Sequence, residues 1–129
     1  MYRVLLVDDQ PIFRDITRGI LQRTGRFQFI GEAEDGVQAV EMCKSLRPDV
    51  VIMDVQMPGL NGFEATARII ERAPDTLVLL TSMRQDENYP LIATQAGAVG
   101  FLPKRRLDAG SVLSLLDDYE GGEFQSQAA

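Results

Sequence analysis

Short unbroken apolar runs alternate along the chain with longer stretches in which apolar residues recur three or four positions apart. Val4–Val7, Val50–Met53 and Leu77–Leu80 have strand length. Continuous rather than alternating runs fit strands covered on both faces, as in a parallel sheet. Phe27–Ala33 is broken by Gln28 and Gly31 and reads as an edge strand, and Val99–Leu102 reads as a fifth strand. Between these runs the spacing turns helical at Phe13, Ile16 and Ile20, at Val37, Val40 and Cys43, at Phe63, Ala67 and Ile70, and at Val112, Leu115, Leu116 and Tyr119. Gly25, Arg47-Pro48 and Ala73-Pro74 stand where helices should stop. Pro90 interrupts Asp86–Ala96, and proline is tolerated only in a helix's first turn. That helix is therefore expected to start near Asn88 or Tyr89, and to be short and mobile. Five strands alternating with five helices predict a doubly wound α/β domain over residues 1–120. No linker, repeat or second domain is visible. Residues 121–129, rich in Gly, Gln, Ser and Ala, are expected to form a flexible tail.

Composition narrows the function. The chain has 129 residues, 45% of them apolar, which supports one buried core and excludes intrinsic disorder. No run approaches the ~18 apolar residues of a membrane span. The apolar N-terminal stretch is cut short by two aspartates, unlike a signal peptide, so the expected location is cytoplasmic. Cys43 is the only cysteine, which excludes an internal disulfide and a thiolate metal cluster, and its place on a helical apolar row makes it a core residue. With no histidine, a histidine base, a Ser-His-Asp triad and a histidine metal site are all excluded. The net charge of −6 makes direct nucleic-acid binding by this chain unexpected, because such binding needs cations to neutralise phosphates.

The chemistry collects at strand ends. Asp8 and Asp9 follow the first strand, and Asp54 ends the third. In an open parallel sheet the carboxyl ends of strands line the ligand crevice. If those two strands are neighbours, three carboxylates converge. Like charges that close stay ionised together only when a cation joins them. An oxygen-only cluster suits a hard ion, and a small, partly hydrated site suits Mg²⁺ better than Ca²⁺. Taken alone, an Asp pair after a strand reads first as turn or helix-capping residues. Asp54 is harder to dismiss, because it opens the turn-rich run Val55-Gln56-Met57-Pro58-Gly59-Leu60-Asn61-Gly62, whose last two residues can cap the next helix.

Taken together, Val7-Asp8-Asp9, Met53-Asp54 with the loop just quoted, Thr81-Ser82 and Gly97-Ala98-Val99-Gly100-Phe101-Leu102-Pro103-Lys104 resemble the bacterial response-regulator receiver family. The resemblance covers about residues 2 to 120. It implies a flavodoxin-like (βα)5 fold with strand order 2-1-3-4-5. It also implies that Asp54 accepts a phosphoryl group from a histidine kinase or phosphotransfer protein. By the same resemblance Asp9, Asp54 and the Gln56 carbonyl hold Mg²⁺ directly and Asp8 acts through a metal-bound water. Thr81 and Lys104 grip the phosphoryl oxygens, and Phe101 is the aromatic switch position.

These roles are physically coherent. Phosphoryl transfer needs an in-line nucleophile and positive charge on the equatorial oxygens. A metal ion and the Lys104 ammonium supply that charge, and the Thr81 hydroxyl donates a hydrogen bond. Alone, Lys104 reads as a solvated charge, Thr81 as an ordinary strand residue, Phe101 as core, and Arg105-Arg106 as a solvated loop. Phe101 has no hydroxyl, so a readout through it is expected to rest on packing alone. Many receivers follow the lysine with a cis proline, whereas Arg105 stands here. Gln56 and Met83 occupy the positions that tune water's access to the acyl phosphate, and a bulky Met83 can shield it.

An aspartate-dependent phosphohydrolase is the rival enzyme reading, opposed by the lack of an insertion long enough for a substrate lid. A flavin protein is opposed by the lack of a phosphate loop after strand one, and a dead-site interaction module by the presence of all five site residues. Asp9-Gln10-Pro11-Ile12-Phe13-Arg14 and Gly31-Glu32-Ala33-Glu34-Asp35-Gly36 are similar to receivers that precede a helix-turn-helix DNA-binding domain. The chain is accordingly expected to be part of a transcription regulator, or a receiver that works alone on a protein partner. A homodimer through helix 4, strand 5 and helix 5, or through helices 1 and 5, fits either case.

Overall fold

The computed structural model describes the backbone of residues 1–128 and the side chains of residues 1–119. Strands β1 (Tyr2–Val7), β2 (Phe27–Ala33), β3 (Val50–Asp54), β4 (Leu77–Ser82) and β5 (Gly100–Pro103) alternate with helices α1 (Pro11–Gln22), α2 (Gly36–Leu46), α3 (Gly62–Arg72), α4 (Tyr89–Ala96) and α5 (Ala109–Ala128). A single 3-10 turn, Lys104–Arg106, joins β5 to α5. The strands form one parallel sheet in the order β2-β1-β3-β4-β5, as the resemblance implies, with β2 at an edge. The tail expected at residues 121–129 lies outside the residues whose side chains are described.

Alternation along the strands divides the core in two. Leu5, Val7, Val51, Met53, Val78 and Leu80 pack under α2, α3 and α4. Val4, Leu6, Val50, Ile52, Leu77 and Leu79 pack under α1 and α5. Both faces are dry, which is why these strands read as continuous apolar runs. Cys43 is buried in the first cluster, and burial pushes its thiol up to about 11, so it is a core residue as expected.

Helix ends follow local chemistry. Pro11 opens α1 and Pro90 lies in the first turn of α4, where no intrahelical N–H is lost. At α3 the Asn61 side chain accepts from the Glu64 N–H while the Glu64 carboxylate accepts from the Asn61 N–H. This capping box bears out the predicted start. At the end of α2, Arg47 takes a left-handed conformation with φ 49°. The Arg3 guanidinium donates to the carbonyls of Arg47 and Leu46 there, at 2.7 and 2.9 Å, and satisfies groups the helix leaves open.

Helix rotation differs from the periodic reading. Ile16, Val37 and Tyr119 are 48%, 58% and 40% exposed, and Ala67 is exposed too. Helix α3 fully buries Gly62, Ala65, Thr66 and Ile69, while Phe63 and Ile70 of the expected row pack partly buried against the same core. Thr66 can be buried because its hydroxyl donates to the Gly62 carbonyl at 2.7 Å, leaving no unmet polar group.

Gly62 shows how tightly the β3–α3 turn is built. A Cβ there would collide with the Asp54 carbonyl oxygen and lie 2.8 Å from Val55 Cα, both backbone atoms that cannot yield. Gly19 in α1 has nothing within 4 Å of the same position. Opposite outcomes are expected from the same substitution, read by urea unfolding. Gly19→Ala gains up to ~1 kcal/mol of helix propensity, whereas Gly62→Ala loses about 2 kcal/mol to overpacking.

Candidate functional site

Strand register alone assembles one end of the sheet. Val7 of β1 pairs with Met53 of β3, so the next residues, Asp8 and Asp54, emerge side by side. Asp54 pairs with Thr81 of β4, and Ser82 pairs with Pro103 of β5, which places Lys104 just past that edge. Asp8, Asp9 and Asp54 each offer a carboxylate oxygen, and these atoms lie within 4.8 Å of one another. Asp8 and Asp54 are both 6% exposed, while Asp9 faces solvent.

Lys104 closes the cluster. Its Nζ lies 2.7 Å from Asp8 Oδ2 and 3.4 Å from Asp54 Oδ2. The ammonium also sits 3.8 Å from the centroid of the Phe13 ring, on α1. A cation over an aromatic face is attracted by the ring quadrupole, so Phe13 helps hold Lys104 towards the carboxylates. Asp8 is fixed by the Gln10 N–H, which donates to Oδ1 at 3.0 Å, and by Arg14, whose Nη1 donates to the Asp8 carbonyl. Thr81 is buried, and its hydroxyl has no hydrogen-bond partner. A buried hydroxyl left unmet carries a desolvation cost, and this one stands in the register position beside Asp54.

The other predicted residues lie around this cluster. The Gln56 N–H donates to Asp54 Oδ1 at 3.3 Å, and the Gln56 side-chain Nε2 donates to Tyr89 Oη at 3.3 Å. Phe101 is half-buried and does not join the carboxylates. It packs edge-on against Tyr89, with ring centroids 5.7 Å apart, and Tyr89 packs edge-on against Phe63 at 5.3 Å. Met83, just after β4, is 64% exposed. Arg105 and Arg106 are exposed, as expected for a solvated loop.

Two residues of this arrangement escaped the sequence reading. Phe13 was legible as a member of an apolar helical row and of the Asp9–Arg14 segment, but nothing in its spacing announces a cation from the far edge of the sheet. Tyr89 carried no signal beyond its place before Pro90.

The donor set fits Mg²⁺. All three clustered side chains offer carboxylate oxygens, the hard ligands this ion takes, and two of them are shielded from water. The same shielding shapes acidity. Burial pushes the Asp54 carboxyl up to about 6; the Lys104 charge pulls it back, the Asp8 charge pushes it further up, and the Gln56 N–H lowers it. Desolvation and like-charge repulsion therefore outweigh the ion pair.

This fixes a sign for stability. An acid whose folded value is raised above its ordinary 3.8 costs stability when ionised. That cost is complete above about pH 6 and disappears as pH falls below about 4. With divalent cations removed by EDTA, Asp54→Asn is expected to be more stable than the parent at pH 7.5, by roughly 1–3 kcal/mol. The advantage should vanish near pH 4; a gain that is constant across that range in thermal unfolding contradicts this account.

The chain is similar to known proteins in sequence and in fold. A family model described as the response regulator receiver domain matches residues 4–114. The transcriptional regulatory protein DegU of Brevibacillus brevis is 38% identical over 111 residues, which are 86% of this chain and 47% of DegU. A protein-glutamate methylesterase/protein-glutamine glutaminase of Pseudoalteromonas atlantica is 41% identical over 105 residues, 81% of this chain and 28% of that protein. The chain thus spans less than half the length of these curated relatives. The signal receiver domain of the response regulator NarL from Mycobacterium tuberculosis superposes with a TM-score of 0.83 at 36% identity, covering 93% of this chain and 97% of that one. A match running from the first strand into the last helix, with the fold to accompany it, means that the chain belongs to the response regulator receiver domain family.

Proposed function

We propose that Asp54 is the phosphoacceptor of this receiver and that its phosphorylation switches the chain between two arrangements. The observation that carries the assignment is the buried Thr81 hydroxyl, without a partner, in register beside Asp54. It is a donor held ready for an acceptor that arrives later.

In this reading an Asp54 carboxylate oxygen attacks phosphorus in line, and the bond to the donor's leaving group breaks with its electron pair on that group. The product is an acyl phosphate, later hydrolysed to carboxylate and inorganic phosphate. Lys104, already shared between Asp8 and Asp54, offers its ammonium to a phosphoryl oxygen, and Thr81 donates a hydrogen bond to another. Receivers bind Mg²⁺ in general. Here Asp9, Asp54 and the Gln56 carbonyl would hold it directly, and Asp8 through a water. When bound, the ion supplies further positive charge to the phosphoryl oxygens. Thr81 moving towards the phosphoryl group and Phe101 turning inward make the switch, biasing an equilibrium that exists beforehand.

The donor would be a histidine kinase or phosphotransfer protein, and the setting cytoplasmic; no helix among the described residues is long and apolar enough to cross a membrane. Residues 1–120 form the receiver unit, and the output is a DNA-binding domain beyond the matched region, as the likeness to DegU supports. The likeness to the methylesterase supports a second reading, in which the output is an enzyme. The receiver itself consumes one phosphoryl group per event and does not turn over a substrate. A protein partner or a second copy has a surface to meet on α4, where Leu91 and Ile92 are exposed.

The test is intact-mass spectrometry after incubation with acetyl phosphate. The chain is expected to gain one phosphoryl group with Mg²⁺ and none without it, and Asp54→Ala should gain none. Labelling of Asp54→Ala at the parent level would falsify the assignment. Lys104→Ala is expected to keep Mg²⁺ binding while losing the spectral changes of the amide NMR signals of β5 and α4 that accompany phosphorylation. Parent-like changes in that variant remove Lys104 from the switch.

A further inference from the structure

Tyr89, the first residue of α4, is 8% exposed, and its contacts reach three other parts of the fold. Its ring lies edge-on between Phe63 of α3 and Phe101 of β5, at 5.3 and 5.7 Å. Its hydroxyl accepts from Gln56 Nε2 at 3.3 Å, and the Gln56 N–H donates to Asp54 Oδ1 at 3.3 Å. A continuous path therefore runs from the acidic site through Gln56 and Tyr89 to the start of α4 and to Phe101. The start of that helix has no side-chain cap from Asn88 and is otherwise held locally, by the Asn88 and Tyr89 N–H groups donating to Asp86. Phe101 lacks a hydroxyl and can report only through packing, whereas the Gln56–Tyr89 hydrogen bond gives a polar link from the site to this face.

We infer that Tyr89 is a positioning residue that ties the Gln56 segment of the acidic site to the start of α4, so that divalent-cation binding and the placement of α4 are coupled. The inference rests on the reading of the acidic site as a Mg²⁺ site. Coupling of this kind is reciprocal: if the cation biases the Gln56–Tyr89 contact, loss of the contact weakens the cation by the same factor. The hydrogen bond is neutral and reaches an exposed amide, which sets the scale at roughly threefold in affinity.

The experiment is a double-mutant cycle on the full chain, with Mg²⁺ affinity measured by isothermal titration calorimetry for the parent, Tyr89→Phe, Gln56→Ala and the double variant. Tyr89→Phe keeps the ring and both edge contacts, so a lost affinity reports the hydroxyl and not the packing. Each single variant is expected to bind Mg²⁺ roughly threefold more weakly, and the double variant no more weakly than either, because both remove one hydrogen bond. A parent-like affinity for Tyr89→Phe overturns the inference, and so do losses that multiply in the double variant. If the parent itself binds no Mg²⁺, the reading of the acidic site fails, and this inference fails with it. A parent that binds beside a Tyr89→Phe that binds equally well removes only Tyr89.

Discussion

Two buried carboxylates, Asp8 and Asp54, share one buried ammonium, Lys104, where water screens them poorly. The balance is deliberately incomplete. One cation cannot neutralise two anions, and the exposed Asp9 brings a third negative charge to the same space. The Asp54 carboxyl responds by rising to about 6 despite the nearby lysine. A site in that condition is stabilised by anything that adds positive charge, which is the help the proposed phosphoryl transfer needs. The surrounding structure serves to hold this imbalance in place. Phe13 backs the ammonium, Gln10 and Arg14 fix Asp8, and the collision that a side chain at Gly62 would meet shows how closely α3 is drawn onto the end of β3.

The sheet order makes the imbalance possible. Asp8 follows β1, Asp54 ends β3, Thr81 lies in β4 and Lys104 follows β5, so the four come from well-separated stretches of sequence. Parallel pairing in the order β1-β3-β4-β5 brings all four to the same edge. Asp54 and Thr81 are set by backbone register in strands buried on both faces. Asp8, Asp9 and Lys104 stand just past the ends of β1 and β5, so the first residues of those connections are part of the site. Precision is thereby built on strand ends, close to the most rigid part of the molecule.

Much of this was legible in the sequence for identifiable reasons. A strand buried on both faces has to be apolar throughout, so Val50–Met53 and Leu77–Leu80 could be read without knowing their partners. The acids stood out only in combination, because in a parallel sheet the ends of neighbouring strands converge on one crevice. The strand order was different: periodicity cannot choose neighbours, and the order came from resemblance. Helix rotation was misread where an apolar residue and a buried residue are not the same thing. Val37 and Ile16 are apolar and exposed, whereas Thr66 is polar and buried with its hydroxyl satisfied inside the helix. Phe13 and Tyr89 were invisible as site residues because their importance lies in what faces them across the fold, and spacing along the chain carries no record of that.

The position of Tyr89 bears on how a small chemical event can reach a surface. The proposed phosphorylation of Asp54 would add charge at one end of the sheet, but the exposed Leu91 and Ile92 lie on the helix that Tyr89 begins. A rigid sheet transmits little displacement, so the event has to act on an element with few restraints. Helix α4 has eight residues and no side-chain cap. Its attachment to the rest of the domain near the site runs through the Tyr89 ring and hydroxyl. Shifting an equilibrium tenfold takes only about 1.4 kcal/mol, comparable to one or two hydrogen bonds of the kind that Gln56 and Tyr89 make. The cost of ionising Asp54 in its buried setting is of the same order. Energies of that size can be passed on by single contacts, which is why a side chain such as Tyr89, touching both Gln56 and α4, is worth testing.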